Sequence, residues 1–111
     1  MEKAENEKAY ALFGLIQKAG KLKSGEWAVE KSIGGLKARL VILATDASEN
    51  SKKQYRDKCA FYEVPCIEFG TKERLGRAIG KEERSALSVE DEGLAATLKR
   101  KIDGGNTNGE N

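Results

Sequence analysis

The run Leu40-Val41-Ile42-Leu43-Ala44 constrains the fold more than any other feature of this chain. Five apolar residues follow one another without alternation, between Arg39 and Thr45-Asp46. Successive side chains of a strand point to opposite faces of its sheet, so this strand must hide both faces. It needs a covering layer on each side and a strand at each edge. That predicts a central position in a mixed, largely parallel sheet. The chain has 111 residues, enough for one core that buries roughly two thirds of the unfolded surface.

The segments on either side supply the covering layers. Leu12, Phe13 and Ile16 share a helical face over 9–19, and Gly20 can end that helix in the left-handed conformation. Lys21-Leu22-Lys23-Ser24 reads as a brief strand. Gly25 opens a helix over 26–34, with Val29, Ile33 and Leu36 as its stripe, and Gly34-Gly35 stop it. Thr45 to Asn50 is turn and cap chemistry before a helix over 51–62, striped by Tyr55, Cys59 and Tyr62. Pro65 bars its continuation. Cys66 to Phe69 alternates as a short strand, and Thr71 can cap a helix carrying Leu75, Ala78 and Ile79 that ends at Gly80. After the charged loop Lys81-Glu82-Glu83-Arg84, Ser85 to Val89 reads as the last strand, with Leu87 and Val89 on one face. Glu90-Asp91-Glu92 begin a final helix lined by Leu94, Leu98 and Ile102. Alternating helices and about four strands give an α/β class, a three-layer α/β/α sandwich. A single domain is expected over 1–103, with a frayed lead-in at 1–8 and a disordered glycine- and asparagine-rich tail at 104–111.

Composition excludes several chemistries. There is no histidine, so histidine-based zinc sites, histidine general bases and Ser-His-Asp triads are out. Cys59 and Cys66 have no zinc-ligand spacing and no further partners, and are read as thiols. Cys59 sits on the apolar stripe with Tyr55 and belongs to the core. The glycines form neither a GxGxxG nor a Walker pattern. Asp46 follows the buried strand, where ligands of open α/β sheets collect. A receiver-like phosphorylation site there lacks its partner acids, which leaves a turn or helix-capping carboxylate. No cofactor or metal is expected. The charged start of the chain is unlike a secretory signal, and no apolar run approaches the ~18 residues of a membrane span. A cytoplasmic protein with no membrane segment is expected.

Charge is unevenly placed. Between Lys18 and Lys58 stand ten basic and five acidic residues, a net +5, in a chain whose total is +2. Nucleic-acid binders concentrate positive charge in this way, since neutralising phosphates releases counterions. An ordinary solvated surface is the alternative. On a wheel centred on Val29, Trp27 falls at about 160° and Lys31 at about −160°. The only tryptophan and a lysine therefore share the face opposite the core stripe. An exposed aromatic beside a cation can stack on an unpaired base and hold its phosphate. Alternatively, Trp27 folds back over the helix end onto the N-terminal helix. Lys21, Lys23 and the first amides after Gly25 would add an anion-attracting rim.

These residues carry a resemblance. Ser24-Gly25-Glu26, Lys31, Lys37 through Ser48, Asp57-Lys58-Cys59, Val64-Pro65 and Leu75 through Gly80 resemble, in order and spacing, the ribosomal L-seven-Ae family and a bacterial member of it. The likeness covers about residues 10–102. It implies an α/β/α sandwich without catalysis or metal that binds kink-turn RNA, a sharply bent RNA with tandem sheared G·A pairs. The family contacts RNA through Gly-x-Asn-Glu-x-x-Lys at the start of its second helix and through the loop before its last strand. Gly25 and Lys31 match the pattern. Trp27 and Ala28 replace the Asn and Glu that read the G·A edges. Lys81-Glu82-Glu83-Arg84 stands where the family loop is more apolar. The expectation is a monomeric, non-catalytic, ribosome-associated protein whose partner is structured RNA such as ribosomal RNA. Its expected site is Gly25, Glu26, Trp27 and Lys31, with Lys21, Lys23, Lys37, Lys81 and Arg84 on phosphates. The alternative is a protein-interaction module on the same fold, with Trp27 as its anchor.

Overall fold

In the computed structural model, which describes residues 2–107 and the side chains of 7–104, helices and strands alternate throughout. The order is α1 (Glu2–Lys18), β1 (Leu22–Ser24), α2 (Glu26–Gly34), β2 (Leu40–Leu43), α3 (Glu49–Tyr62), β3 (Cys66–Glu68), α4 (Lys72–Ala78), β4 (Ala86–Val89) and α5 (Glu92–Thr107). The expected local signals operate. The Ser48 and Thr71 hydroxyls accept from the amides of Ser51 and Arg74, capping α3 and α4. Asp91 accepts from the Leu94 amide at the start of α5.

The described strands form one sheet in the order β1-β4-β2-β3. β2 pairs parallel with β3, and β4 pairs antiparallel with both β1 and β2. The sheet is mixed as expected, but it is not largely parallel. β1, β2 and β3 share a direction, yet β4 lies between β1 and β2 and turns two of the three pairings antiparallel. Burial of β2 on both faces reports the layers above and below it and carries no information on strand direction.

Those layers are real. Leu40 and Ile42 face a core with Phe13 and Ile16 of α1, Leu75 of α4 and Leu98 of α5. Val41 and Leu43 face the other way, onto Val29 and Ile33 of α2 and Tyr55 and Cys59 of α3. β4 repeats the alternation, with Leu87 and Val89 on the first face and Ala86 on the second. Ser88, fully buried, meets Ser32 of α2 at 2.8 Å between hydroxyl oxygens. A buried hydroxyl is costly without a partner, so this pair fixes where α2 lies on the sheet.

Two further differences have local causes. Leu36 is 65% exposed and lies outside the core stripe. α2 stops at Gly34, and Leu36 takes the left-handed conformation at φ 64°. The amides of Leu36 and Lys37 return to the carbonyls of Ile33 and Ser32, a Schellman ending that turns the Leu36 side chain outward. At the termini, α1 begins at Glu2 and α5 runs to Thr107, past the expected boundary at Gly104. Residues 108–111 of the expected tail lie outside the described residues. Among the described residues no helix is long and apolar enough to cross a membrane.

Candidate nucleic-acid interface

α2 leaves the edge strand β1 through Gly25, at φ 91° and ψ 150°. L-residues rarely adopt that backbone, while a Cβ there would meet nothing within 4 Å. Glycine is therefore required by conformation, and the space beside it is free for close approach. No side chain caps α2. Its first amides stay open to an anion, with the positive end of the helix dipole behind them.

Trp27 stands in the first turn and is 73% exposed. One turn later, Lys31 Nζ lies 4.7 Å from the centroid of the indole. The indole thus stands on the outer face with its cation and does not pack back onto α1. At an exposed site such a contact contributes about 0.5–1 kcal/mol, enough to bias the ring's orientation without burying it. The exposure leaves the opposite ring face to solvent.

A cleft of about 350 Å³ opens beside the ring, lined by Lys23 of β1, Trp27, Ala28, Lys31, Lys37 and Glu90 among others. Lys23, Lys31 and Lys37 have no acidic partner within 4.0 Å among the described residues. The basic stretch thereby divides in two. On α3, Lys52 pairs with Glu68 at 3.3 Å, Arg56 pairs with the same carboxylate, and Lys53 pairs with Asp57 at 2.8 Å. Around Trp27 the lysines remain uncompensated, apart from the Glu90 carboxylate in the cleft wall.

The charged loop reaches this site through one residue. The Arg84 amide donates to the Lys72 carbonyl at 3.1 Å, and Arg84 Nε donates to Ser24 Oγ at 3.1 Å. Its Nη1 donates to the Glu83 carbonyl at 3.0 Å. Arg84 thus latches the loop to the residue before Gly25. Gly76 makes the approach possible, because a Cβ there would collide with the Glu82 carbonyl. Lys81 and Lys21 are exposed but outside the cleft, as is Glu26. Glu26 acts with Glu30 on Tyr55 of α3, whose phenol burial pushes up to about 12 with both carboxylates adding to the shift.

Ser24, Ser32, Gly76 and Ser88 also position the site, and their spacing in the sequence did not mark them as doing so. Two signals were available. Gly76 interrupts an otherwise helical pattern, a mark of close packing, and Ser32 is a polar residue beside the core stripe. Elsewhere, Asp46 Oδ1 accepts from the Lys72 amide at 2.8 Å, a capping role. Cys59 and Cys66 are free thiols. A hydrogen bond between them pushes the Cys59 thiol up and draws the Cys66 thiol down. Among the described residues no group of three or more Cys, Asp or Glu side chains is arranged to hold a metal.

Comparison with known proteins places this geometry. Residues 7–99 match the model of the ribosomal protein L7Ae/L30e/S12e/Gadd45 family. The chain belongs to that family. A protein of Enterococcus faecium named RNA-binding protein YlxQ is 40% identical over 104 residues, spanning 94% of this chain and all of that one. A protein of the same name from Bacillus subtilis strain 168 is 43% identical over 94 residues, 85% of this chain and 94% of its own. A Bacillus halodurans structure described as a protein with unknown function superposes with a TM-score of 0.82 at 41% identity, covering 86% of this chain and 97% of that one. A Giardia lamblia 15.5 kD RNA binding protein shares the fold, with a TM-score of 0.70 at 22% identity over 88% of this chain and 84% of its own. The matched span includes the start of α2, the cleft's lysines Lys23, Lys31 and Lys37, and the Arg84 loop.

Proposed function

We propose that this protein binds structured RNA through the start of α2, without catalysis. The observation that carries the reading is the exposed Trp27, with Lys31 over one ring face, beside the uncapped α2 amides and the unpaired Lys23 and Lys37. An unpaired base stacks on the open ring face while the lysines and amides take phosphates. The names of the two YlxQ relatives support RNA as the partner class. Gly25 and Lys31 keep the family's backbone turn and cation, whereas Trp27 and Ala28 cannot donate and accept as Asn and Glu do. Readout of G·A edges therefore gives way to stacking and phosphate contact. Ribosomal or kink-turn-like RNA in the cytoplasm, bound by a monomer, is the target class of this reading. Lys21, Lys81 and Arg84 contribute phosphate contacts at its rim, and Glu26 contributes through its amide.

The test is titration with a kink-turn hairpin and with the same hairpin lacking its G·A pairs, each at two salt concentrations. Comparable, steeply salt-dependent binding to both is expected. Trp27→Ala should weaken binding by about 1–3 kcal/mol if a base stacks on the indole. Unchanged affinity in a well-folded Trp27→Ala variant would remove the stacking role. Trp27 fluorescence that responds to a protein and to neither RNA would put the protein-interaction module in its place.

A further inference from the structure

A second cleft lies on the other side of the α2 ridge and is not part of the surface described above. It occupies about 360 Å³ between α2 and α3, and Trp27, Lys31, Gly34 and Lys58 contribute to its walls. Lys58 comes from α3, and its Nζ lies 3.8 Å from where a Cβ of Gly34 would stand. The glycine leaves room for the ammonium over the end of α2, where the last carbonyls attract a cation. No acidic group lies within 4.0 Å of Lys58 among the described residues. Glu30 stands in the same wall and keeps its charge while its Oε2 accepts from Gln54 Nε2 at 2.5 Å, so it is Lys31 and Lys58 together that leave the cleft net positive. Trp27 and Lys31 are shared by both clefts, so the indole stands as a divider between two basic depressions. Gly34 is two helical turns beyond Trp27, about 10 Å along the axis. That is within reach of the phosphates flanking a stacked base.

We propose that the α2–α3 cleft is a second RNA subsite, in which a single strand crosses Trp27 and sets the phosphate next to the stacked nucleotide on Lys58. The proposal rests on the RNA-binding reading and extends it to a strand path. The ligand is unpaired RNA, because a duplex cannot offer a base face to Trp27 and a phosphate beyond it together. An unpartnered ammonium and a shared aromatic wall are what an anionic, base-bearing strand requires.

The experiment compares a labelled RNA hairpin, closed by a non-nucleotide ethylene-glycol linker in place of its loop and carrying uridine overhangs at its 5′ and 3′ ends, with the same hairpin trimmed blunt, which holds no unpaired nucleotide. Wild type, Lys58→Met and Lys101→Met are titrated over a range of salt. Methionine keeps the stem of Lys58 packed on α2 and removes only the charge, and circular dichroism checks the fold. Lys58→Met is expected to weaken binding of the overhang hairpin and to lower its salt slope by about 0.7, the value for one phosphate on a single strand. The blunt hairpin should bind Lys58→Met as it binds wild type, and Lys101→Met, on α5, should leave the overhang hairpin's slope unchanged. Wild-type behaviour of Lys58→Met on the overhang hairpin, or equal losses on both hairpins, would overturn the subsite. Wild type failing to bind either hairpin would overturn the RNA-binding reading itself.

Discussion

Tyr55 shows how single side chains couple the site to the core. It is buried between α2 and α3, and that burial, reinforced by Glu26 and Glu30, pushes its phenol up to about 12. An unfolded tyrosine ionises near 10, so between about pH 10 and 12 the unfolded chain has lost a proton that the folded chain keeps. The unfolded state then binds fewer protons, and stability falls as pH rises. The contribution is fully present below about pH 10 and is lost through about pH 12, amounting to at most about 2–3 kcal/mol. Urea unfolding of wild type and Tyr55→Phe across that window checks this. The wild-type curve should fall more steeply, and parallel curves would refute the assignment. At this scale the sequence placed Trp27 and Lys31 correctly, because the helical wheel fixes angles within one element. It could not place Glu26, whose carboxylate acts on a tyrosine almost thirty residues away in the chain.

Among the elements, α4 and its following loop decide how much of the proposed interface is assembled beside Gly25. The loop packs onto Gly76, the Lys81 amide donates to the Gly76 carbonyl at 2.8 Å, and Arg84 closes on Ser24. Gly76→Ala forces backbone against backbone, and neither side can yield as a flexible side chain would. A stability loss of about 1–3 kcal/mol is expected. Arg84 should leave Ser24, and RNA affinity should fall with it. Urea midpoints and RNA titrations on the same variant read both effects. Undiminished affinity in a destabilised but folded Gly76→Ala protein would place the loop outside the interface. The bounds of α2 were legible because Gly25 and Gly34-Gly35 bracket it. The exposed Leu36 was not, since its helical spacing continues past the point where the backbone has already turned.

At the scale of the molecule, β2 is the shared floor of two cores. Ile42 serves the α1–α4–α5 side and Val41 the α2–α3 side. Removing Ile42 opens a cavity on the side away from Trp27. Ile42→Ala is expected to cost about 2–5 kcal/mol, with the denaturant slope unchanged, because both layers lose their support together. Under native conditions its RNA affinity should match wild type. A weakened affinity there would mean that strain in one layer reaches the α2 surface through the strand. The same two-sided packing holds α2 in place from below, through Val29, Ile33 and the Ser32–Ser88 pair. The outward residues of α2 are thereby free to be polar, aromatic or cationic without cost to the core.

What the sequence determined by itself follows from short-range rules. Periodicity, caps and glycine stops set the elements, the unbroken run Leu40–Ala44 required two covering layers, and the wheel put Trp27 beside Lys31. Tertiary structure decided what depends on distant partners. It placed β4 between β1 and β2 and so set the strand directions. It brought Arg84 to Ser24 across 60 positions of chain. It also sorted the lysines into those that meet acids on α3 and those left uncompensated around Trp27. Local sequence fixes dihedral preferences and facing, but which charges neutralise each other depends on packed distances, and those exist only once the chain has closed on itself.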